Sequence, residues 1–349
     1  MEVNQMYTRY MPIKYQKKSK YPITGRPYNV EIDLVSDFEK ICQRILKEQG
    51  ISLKNPNDGA MDYYRLIHRL IENKPRNILK SKEFFCPQEY ENALKLIERT
   101  IKNGDNLHPF MTRNLKKLQY EDLLLSDWGI YHLHLSEKVD SKDGFMQRSD
   151  KLLMVRIDEE NVYFITTVDH DQKNVWSLKR YIEIIKANWP QTIEQHRMKE
   201  VHLIEKMSDE DYALCRRGNA TTFIELDDGS CYGMIGGGYM SDGTAFYALK
   251  DHDNNARILA DMENILIHSL PVWLAKTGRL DDSKEPIRVE MFGFSTGIYW
   301  YYEKKTKMFI RMRFDGKQFY TTIMSADRLV YEVLEKKYGF REIPKEDLQ

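Results

Sequence analysis

Two histidines lie two residues apart in the apolar segment Ile130-Tyr131-His132-Leu133-His134-Leu135. Successive side chains of a β-strand point to opposite faces of its sheet, so a strand here would place both imidazoles on one face and the leucines on the other. Imidazoles titrate near neutral pH, and two of them can serve as general base and general acid in one cleavage of a phosphodiester. The spacing therefore predicts an acid/base site on this strand.

Other polar side chains follow within forty residues. His170 comes directly after the apolar segment 162–168, and Arg148 and Arg156 lie before and within the intervening apolar segment. A meander of three strands would bring His170 near the first two histidines, and an arginine beside them would stabilise the charge of a phosphorane. This interpretation needs no cofactor if the 2′-hydroxyl of RNA is the nucleophile. Its candidate catalytic residues are His132, His134, Arg148, Arg156 and His170.

Two other interpretations of the same residues remain open. A His-x-His pair with a third histidine and a carboxylate suits zinc or a similar ion, with His132, His134, Asp169 and His170 as ligands. Alternatively, the histidines are hydrogen-bonded, chemically inert side chains on a partly exposed sheet face.

The elements that must position these residues can be predicted from periodicity. Three strands at 129–135, 151–157 and 161–168 and a helix at 177–188 form a β-β-β-α unit over residues 126–190 that would carry the catalysis. Upstream, helices near 37–49, 59–73 and 87–103 indicate a helical domain over residues 29–125. The first helix is predicted to start with a capping box of Ser36 and Glu39 and to stop at Gly50.

Downstream, residues 191–349 repeat this alternation. Predicted strands at 221–226, 231–235 and 245–249 precede a helix at about 256–274, and strands at 288–294, 298–302, 308–313 and 318–324 precede a helix near 326–338. The region is expected to be α+β, with up to two further β-rich units. The predicted fold class is therefore α+β, with an N-terminal helical domain followed by antiparallel sheet units that are each closed by a helix.

Charge is distributed unevenly along the chain. The net charge is zero, but residues 1–120 carry 22 basic and 14 acidic side chains, a net of +8. Residues 1–28 are interpreted as a basic, irregular arm in which tyrosines alternate with cations. Such an arm could follow a nucleic-acid backbone. Its candidate nucleic-acid-binding residues are Lys14, Lys17, Lys18, Lys20 and Arg26.

Composition excludes other classes. No apolar run reaches the roughly 18 residues of a membrane-spanning helix, and no secretory signal opens the chain, so no membrane association and a cytoplasmic location are expected. The four cysteines, which are widely spaced, are interpreted as reduced thiols.

The three predicted strands of residues 127–175 resemble the RelE-like mRNA-cleaving toxins. The resemblance is carried by the Gly-led strand 129–135, the strand Lys-Leu-Leu-Met-Val-Arg-Ile at 151–157 and the strand ending in Val168-Asp169-His170. It implies RNA cleavage by side chains on these strands. The chain departs from the family pattern in having His-x-His where Arg-x-Arg is usual, and nothing in residues 191–349 is covered.

The leading hypothesis is an RNA-cleaving protein of a bacterial toxin or phage-defence type that uses metal-free acid/base chemistry. Its expected partners are RNA and a protein such as an antitoxin or a subunit of a complex. One alternative is a metal-dependent hydrolase built on the His-x-His strand. The other is a non-enzymatic subunit or regulator of a larger complex.

Overall fold

The computed structural model describes residues 18–23, 26–51, 58–118, 120–280 and 285–325. The chain forms two compact units. We call residues 64–250 the central unit, and residues 1–63 together with 251–349 the split unit. This division differs from the predicted boundaries after residues 28, 125 and 190, because strands within residues 18–32 and 287–325 share one sheet.

The fold is α+β, as predicted, and α-helices precede most of the sheet strands along the chain. The α-helices are α1 (Leu34–Glu48), α2 (Gly59–Arg69), α3 (Glu91–Asn103), α4 (Leu123–Trp128), α5 (Arg180–Asn188), α6 (Asp209–Arg217) and α7 (Phe246–Lys276). The strands are β1 (Lys18–Ile23), β2 (Arg26–Ile32), β3 (Asn77–Lys80), β4 (Ile130–His134), β5 (Lys151–Ile157), β6 (Asn161–Asp169), β7 (Arg197–Met198), β8 (Ile224–Glu225), β9 (Cys231–Tyr232), β10 (Ile287–Ser295), β11 (Ile298–Glu303), β12 (Met308–Phe314) and β13 (Phe319–Ser325).

In the split unit, six strands form one sheet in the order β1-β2-β10-β11-β12-β13. The β2–β10 pair is parallel and the other pairs are antiparallel. Helix α1 packs on β10 through Phe38 and Phe294, whose ring centroids are 4.8 Å apart, and the buried Asp37 carboxylate accepts the Met291 N–H at 3.0 Å. The pairing of β2 with β10 is the reason that strands so distant in the sequence share a unit.

Four details of the split unit and its boundaries differ from the prediction. Residues 18–23 and 26–28 are strand rather than irregular arm, because they pair with each other in β1 and β2, and β2 continues to residues 30–32, which pair with β10. Helix α1 begins at Leu34, since the Asp33 carboxylate caps it by accepting the Ser36 N–H at 3.2 Å. Glu39 makes no capping box but accepts the Ala60 N–H at 2.8 Å. Residues 246–249 open α7 rather than form a strand, and the helix predicted near 326–338 lies outside the described residues.

The central unit contains the four-stranded sheet β3-β6-β5-β4, in which β3 pairs with β6 in parallel and the other pairs are antiparallel. Strands β4 to β6 and helix α5 confirm the predicted β-β-β-α order. The central strand β5 is buried on both faces, since residues 152–155 have no exposed surface. Leu133 and Leu153 pack on the core that includes α3, whereas Ile130 and Met154 pack on the core that includes α5.

Candidate functional site

Strand β4 presents both of its histidines on the sheet face that carries the α5 core. His132 pairs with Met154 and His134 with Leu152 in the antiparallel register, while Leu133 and Leu135 are buried on the opposite face. The prediction that the two imidazoles share a face is therefore confirmed. Gly129, with φ of 68°, ends α4 in the left-handed conformation and directs the chain into this strand.

The third histidine joins the pair. The turn after β6 places the His170 ring on His134, with centroids 5.8 Å apart and planes at 26°, and the centroids of His132 and His134 are 6.3 Å apart. Trp176 contacts His132 edge to face at 4.7 Å and His170 at 5.9 Å. Three imidazoles and an indole thus form one aromatic cluster, which we call the histidine cluster (His132, His134, His170 and Trp176).

A carboxylate lies behind His132. Asp122 Oδ1 caps α4 by accepting the Leu125 N–H at 3.1 Å, and Asp122 Oδ2 lies 3.7 Å from His132 Nδ1. This separation is longer than a hydrogen bond, and among the described residues the buried His132 Nδ1 has no hydrogen-bond partner. Asp122 is nevertheless the carboxylate in position to orient this imidazole.

An arginine lies beside His170. Arg148 Nη2 is 3.1 Å from His170 Nδ1. Since a guanidinium is a donor only, this nitrogen accepts, and the hydrogen of a neutral His170 ring is on Nε2. Arg148 is exposed, and within the described part of the chain no carboxylate forms an ion pair with it. Its charge is therefore available to an anion from solvent.

The histidine cluster lines a cavity of about 560 Å³. This volume is within the roughly 300–1,000 Å³ that is usual for small-molecule sites. The other residues that line it are Thr112, Asn114, Tyr120, Glu121, Asp122, Leu123, Leu124, Asn174, Ser177, Ala213, Arg216 and Arg217. Cations, carboxylates, amides and aromatic rings thus converge on one concave surface of the central unit.

Burial sets the protonation of two of the histidines. Burial lowers the pKa of His132, and His170 lowers it further, whereas Asp122 raises it. Burial also lowers the pKa of His134 to about 4, and the neighbouring His132 and His170 add to this effect. His134 is therefore neutral at pH 7 and is not a general acid there.

A buried ion pair supports the cavity wall. Arg216 donates to Asp127 Oδ2 from Nε at 3.2 Å and from Nη2 at 2.9 Å, and its guanidinium lies 4.0 Å from the Trp128 ring centroid. Burial raises the pKa of Asp127, and the guanidinium of Arg216 opposes this effect. The pair fixes α6 against α4, from which Asp122 approaches the histidines.

Two predicted site residues are not part of the cluster. Arg156 is on the same sheet face, but its guanidinium donates to the main-chain oxygens of Trp128 at 3.3 Å and Thr192 at 3.0 Å, so its role is structural. Asp169 follows Val168, which shares the face of the histidines, and therefore points to the other face. There it forms an ion pair with Lys151 at 2.6 Å.

The placement of Asp169 bears on the metal alternative. Among the residues that the structure describes, no group of three or more His, Cys, Asp or Glu side chains could hold a metal ion. The set His132, His134, Asp169 and His170 is therefore not a ligand set in this fold.

Three of the predicted nucleic-acid-binding cations lie outside the central unit. Lys18 and Lys20 are on β1 and Arg26 is on β2, in the split unit, whereas the histidine cluster is in the central unit. Lys14 and Lys17 lie outside the described residues. Their proposed role in binding RNA stays a prediction.

Sequence reasoning missed Asp122, Asn174, Arg216 and Arg217. An acidic residue before the apolar run Leu123–Leu125 is a helix N-cap signal, which could have located α4 but not its contact with His132. Asn174 has φ of 58°, a conformation that asparagine tolerates, in the turn before Trp176. Arg216 and Arg217 follow an ordinary helical pattern, which gives no signal of a cavity.

No protein-family model, curated protein or solved structure matches the chain. The resemblance to RelE-like toxins therefore depends on the quoted residues alone. In the described segments, no helix combines the length and the apolar character that crossing a membrane requires.

Proposed function

We propose that the central unit is a metal-independent, histidine-based ribonuclease. The observation that carries the proposal is the convergence of three imidazoles and a carboxylate at one cavity, with the exposed guanidinium of Arg148 beside His170. Such an arrangement provides a proton acceptor, a group that orients it and a charge for a phosphate.

His132 is the proposed proton shuttle. In the proposed mechanism Asp122 Oδ2, which lies 3.7 Å from His132 Nδ1, moves within hydrogen-bond distance and keeps the ring hydrogen on Nδ1. The other ring nitrogen, Nε2, then accepts the proton of the 2′-hydroxyl. The 2′-oxygen then attacks phosphorus, the bond between phosphorus and the 5′-oxygen breaks, and protonated His132 returns the proton to the leaving 5′-oxygen. The products are a 2′,3′-cyclic phosphate and a 5′-hydroxyl. His132 thus removes one proton and returns it.

Arg148 and His170 are the proposed anion-binding groups. The Arg148 guanidinium neutralises the phosphoryl oxygens, and the hydrogen on His170 Nε2 donates to one of them. His134, which stacks on His170, is a positioning residue rather than a proton donor, since its low pKa keeps it neutral.

The test is cleavage of single-stranded RNA by the purified protein with and without EDTA. We expect cleavage that survives EDTA, produces 2′,3′-cyclic phosphate ends and is blocked by a 2′-deoxy substitution at the cleaved position. His132→Ala should lower the rate by about 10²- to 10⁴-fold, the usual contribution of an acid/base group. His134→Ala should lower it by less, up to about 10²-fold, through misplacement of His170.

The matched control is His202→Ala, because His202 is in the same unit, is 69% exposed and is not part of the cavity. It should retain full activity. Loss of cleavage with EDTA would contradict metal-free chemistry, and full activity of both His132→Ala and His134→Ala would refute the proposed site. No cleavage under any condition would favour the interpretation as a non-enzymatic subunit or regulator.

Asp122 has its own test, since it acts through His132. Asp122→Asn keeps an oxygen for the cap of α4 but can present an amide N–H to His132 Nδ1, which would move the ring hydrogen to Nε2. We expect a large loss of kcat, a changed acid limb of the pH–rate profile, and a changed tautomer of His132 in ¹⁵N NMR spectra. An unchanged tautomer would contradict the orienting role.

A further inference from the structure

The depth of the histidine cluster restricts which RNA can reach it. His132 is only 6% exposed and lines the cavity of about 560 Å³. A nucleotide paired in an A-form duplex is held in the stack and cannot insert its ribose and phosphate into a cavity of this size. An unpaired nucleotide can enter.

Trp176 provides a surface for the base of such a nucleotide. Its side chain is 38% exposed, although it is adjacent to two imidazoles of the cavity. Aromatic side chains that stay partly exposed at a concave site are typical stacking partners for nucleobases.

The backbone holds Trp176 in place. The Val175 N–H donates to Gln172 O at 3.1 Å, the Ser177 N–H donates to Asn174 O at 2.7 Å, and the Tyr181 hydroxyl donates to Val175 O at 2.8 Å. Val175 is itself 3% exposed and anchors the turn in the core. The turn thus fixes the backbone at Trp176, and the rings of His132 and His170 pack against its indole.

We propose that the cavity is a seat for one unpaired nucleobase, which stacks on Trp176, so that the substrate class is single-stranded RNA. This inference deepens the proposed function and depends on it for the identity of the ligand. The base stacks on the indole while the neighbouring phosphate faces Arg148.

The test separates binding from cleavage by using RNA that cannot react. A 2′-O-methyl oligonucleotide of ten residues lacks the nucleophile, so its affinity for the intact protein can be measured by fluorescence anisotropy. The comparison probes are the same strand in a duplex, a strand of the same length made of abasic ribose phosphates, and a nucleoside monophosphate. We expect the single strand to bind, with Trp176 fluorescence quenched, and the other three probes to bind at least 10-fold more weakly.

Variants identify the residue. Trp176→Ala should raise Kd for the single strand by about 5- to 150-fold, the range for loss of one base–aromatic stack, whereas Trp176→Phe keeps a ring and should stay near the original value. The matched control is Phe85→Ala, since Phe85 is an exposed aromatic residue of the same unit (70% exposed) outside the cavity. It should bind like the unaltered protein.

Each outcome decides between the two proposals. Equal affinity for the single strand, the duplex and the abasic strand, or no effect of Trp176→Ala, would overturn the base seat even if RNA is cleaved. A monophosphate that binds as tightly as the strand would make a free nucleotide the ligand and would also overturn it. Tight binding of the single strand without any cleavage of ordinary RNA would refute the ribonuclease and leave the base seat standing.

Discussion

The buried ion pair between Arg216 and Asp127 is expected to be essential for the stability of the central unit. Asp127 is 2% exposed and Arg216 is 6% exposed, and Asp127 Oδ2 accepts two hydrogen bonds from the guanidinium. Arg216→Met removes the cation but keeps an apolar chain of similar reach. It leaves the Asp127 carboxylate buried without its partner, which costs about 3–5 kcal/mol of unfolding free energy.

The assay is urea unfolding followed by tryptophan fluorescence, with the free energy taken from linear extrapolation. Trp128 lies against Arg216 and so reports on the same region. The control is Lys173→Met, which breaks the exposed Lys173–Glu210 pair and should leave stability unchanged, because solvent screens such a pair.

A double variant separates the penalty of an unpaired buried charge from the loss of the ion pair itself. Asp127→Leu combined with Arg216→Met replaces both charges by apolar groups and should regain most of the lost stability, since the main penalty is the uncompensated buried charge. The reasoning is refuted if Arg216→Met is no more destabilising than Lys173→Met. It is also refuted if the double variant is less stable than Arg216→Met alone.

Three further predictions concern single residues. The folded pKa of His134 is about 4 and its ordinary value is 6.5, so unfolded chains bind a proton that folded chains do not. Stability should therefore fall by about 3 kcal/mol as pH drops from about 6.5 to 4, and His134→Gln should flatten this part of a pH series of melts. Arg148→Ala should weaken RNA binding and lower the salt dependence of binding by about one counterion, without changing Tm. Arg156→Ala should instead lower Tm, because Arg156 holds main-chain oxygens. Equal effects of the two variants on RNA affinity and on Tm would contradict the binding role of Arg148 and the structural role of Arg156. Gly236→Ala should lower Tm in thermal melts, because a Cβ there would overlap the main-chain oxygen of Leu125. An unchanged Tm would contradict this close contact.

Local patterns in the sequence were sufficient to predict the strands that position the three histidines of the candidate site. Strands β4 to β6 are short, rich in branched and aromatic residues, and separated by turn residues, so their order and approximate ends could be predicted. The two-residue period of a strand then determined that His132 and His134 share a face. A meander of consecutive strands brought His170 to them, as predicted.

Helix ends were less predictable where two residues compete for one role. Asp33 and Ser36 are both good N-cap residues, and the sequence alone favoured Ser36 because Glu39 completes a capping box. In the structure Glu39 accepts main-chain N–H groups of residues 59 and 60 instead. The Asp33 carboxylate caps α1 instead, and Glu39 is engaged by a segment twenty residues away.

Only the tertiary structure decided the rest, because the remaining contacts join residues that are distant in sequence or depend on which direction a side chain takes. The parallel pairing of β2 with β10 joins strands that are more than 250 residues apart in one sheet. The position of Asp122 behind His132 depends on how α4 packs, and Arg156 turns to main-chain oxygens that no pattern of its own strand reveals. Periodicity determines the face of a residue, whereas packing determines its neighbours.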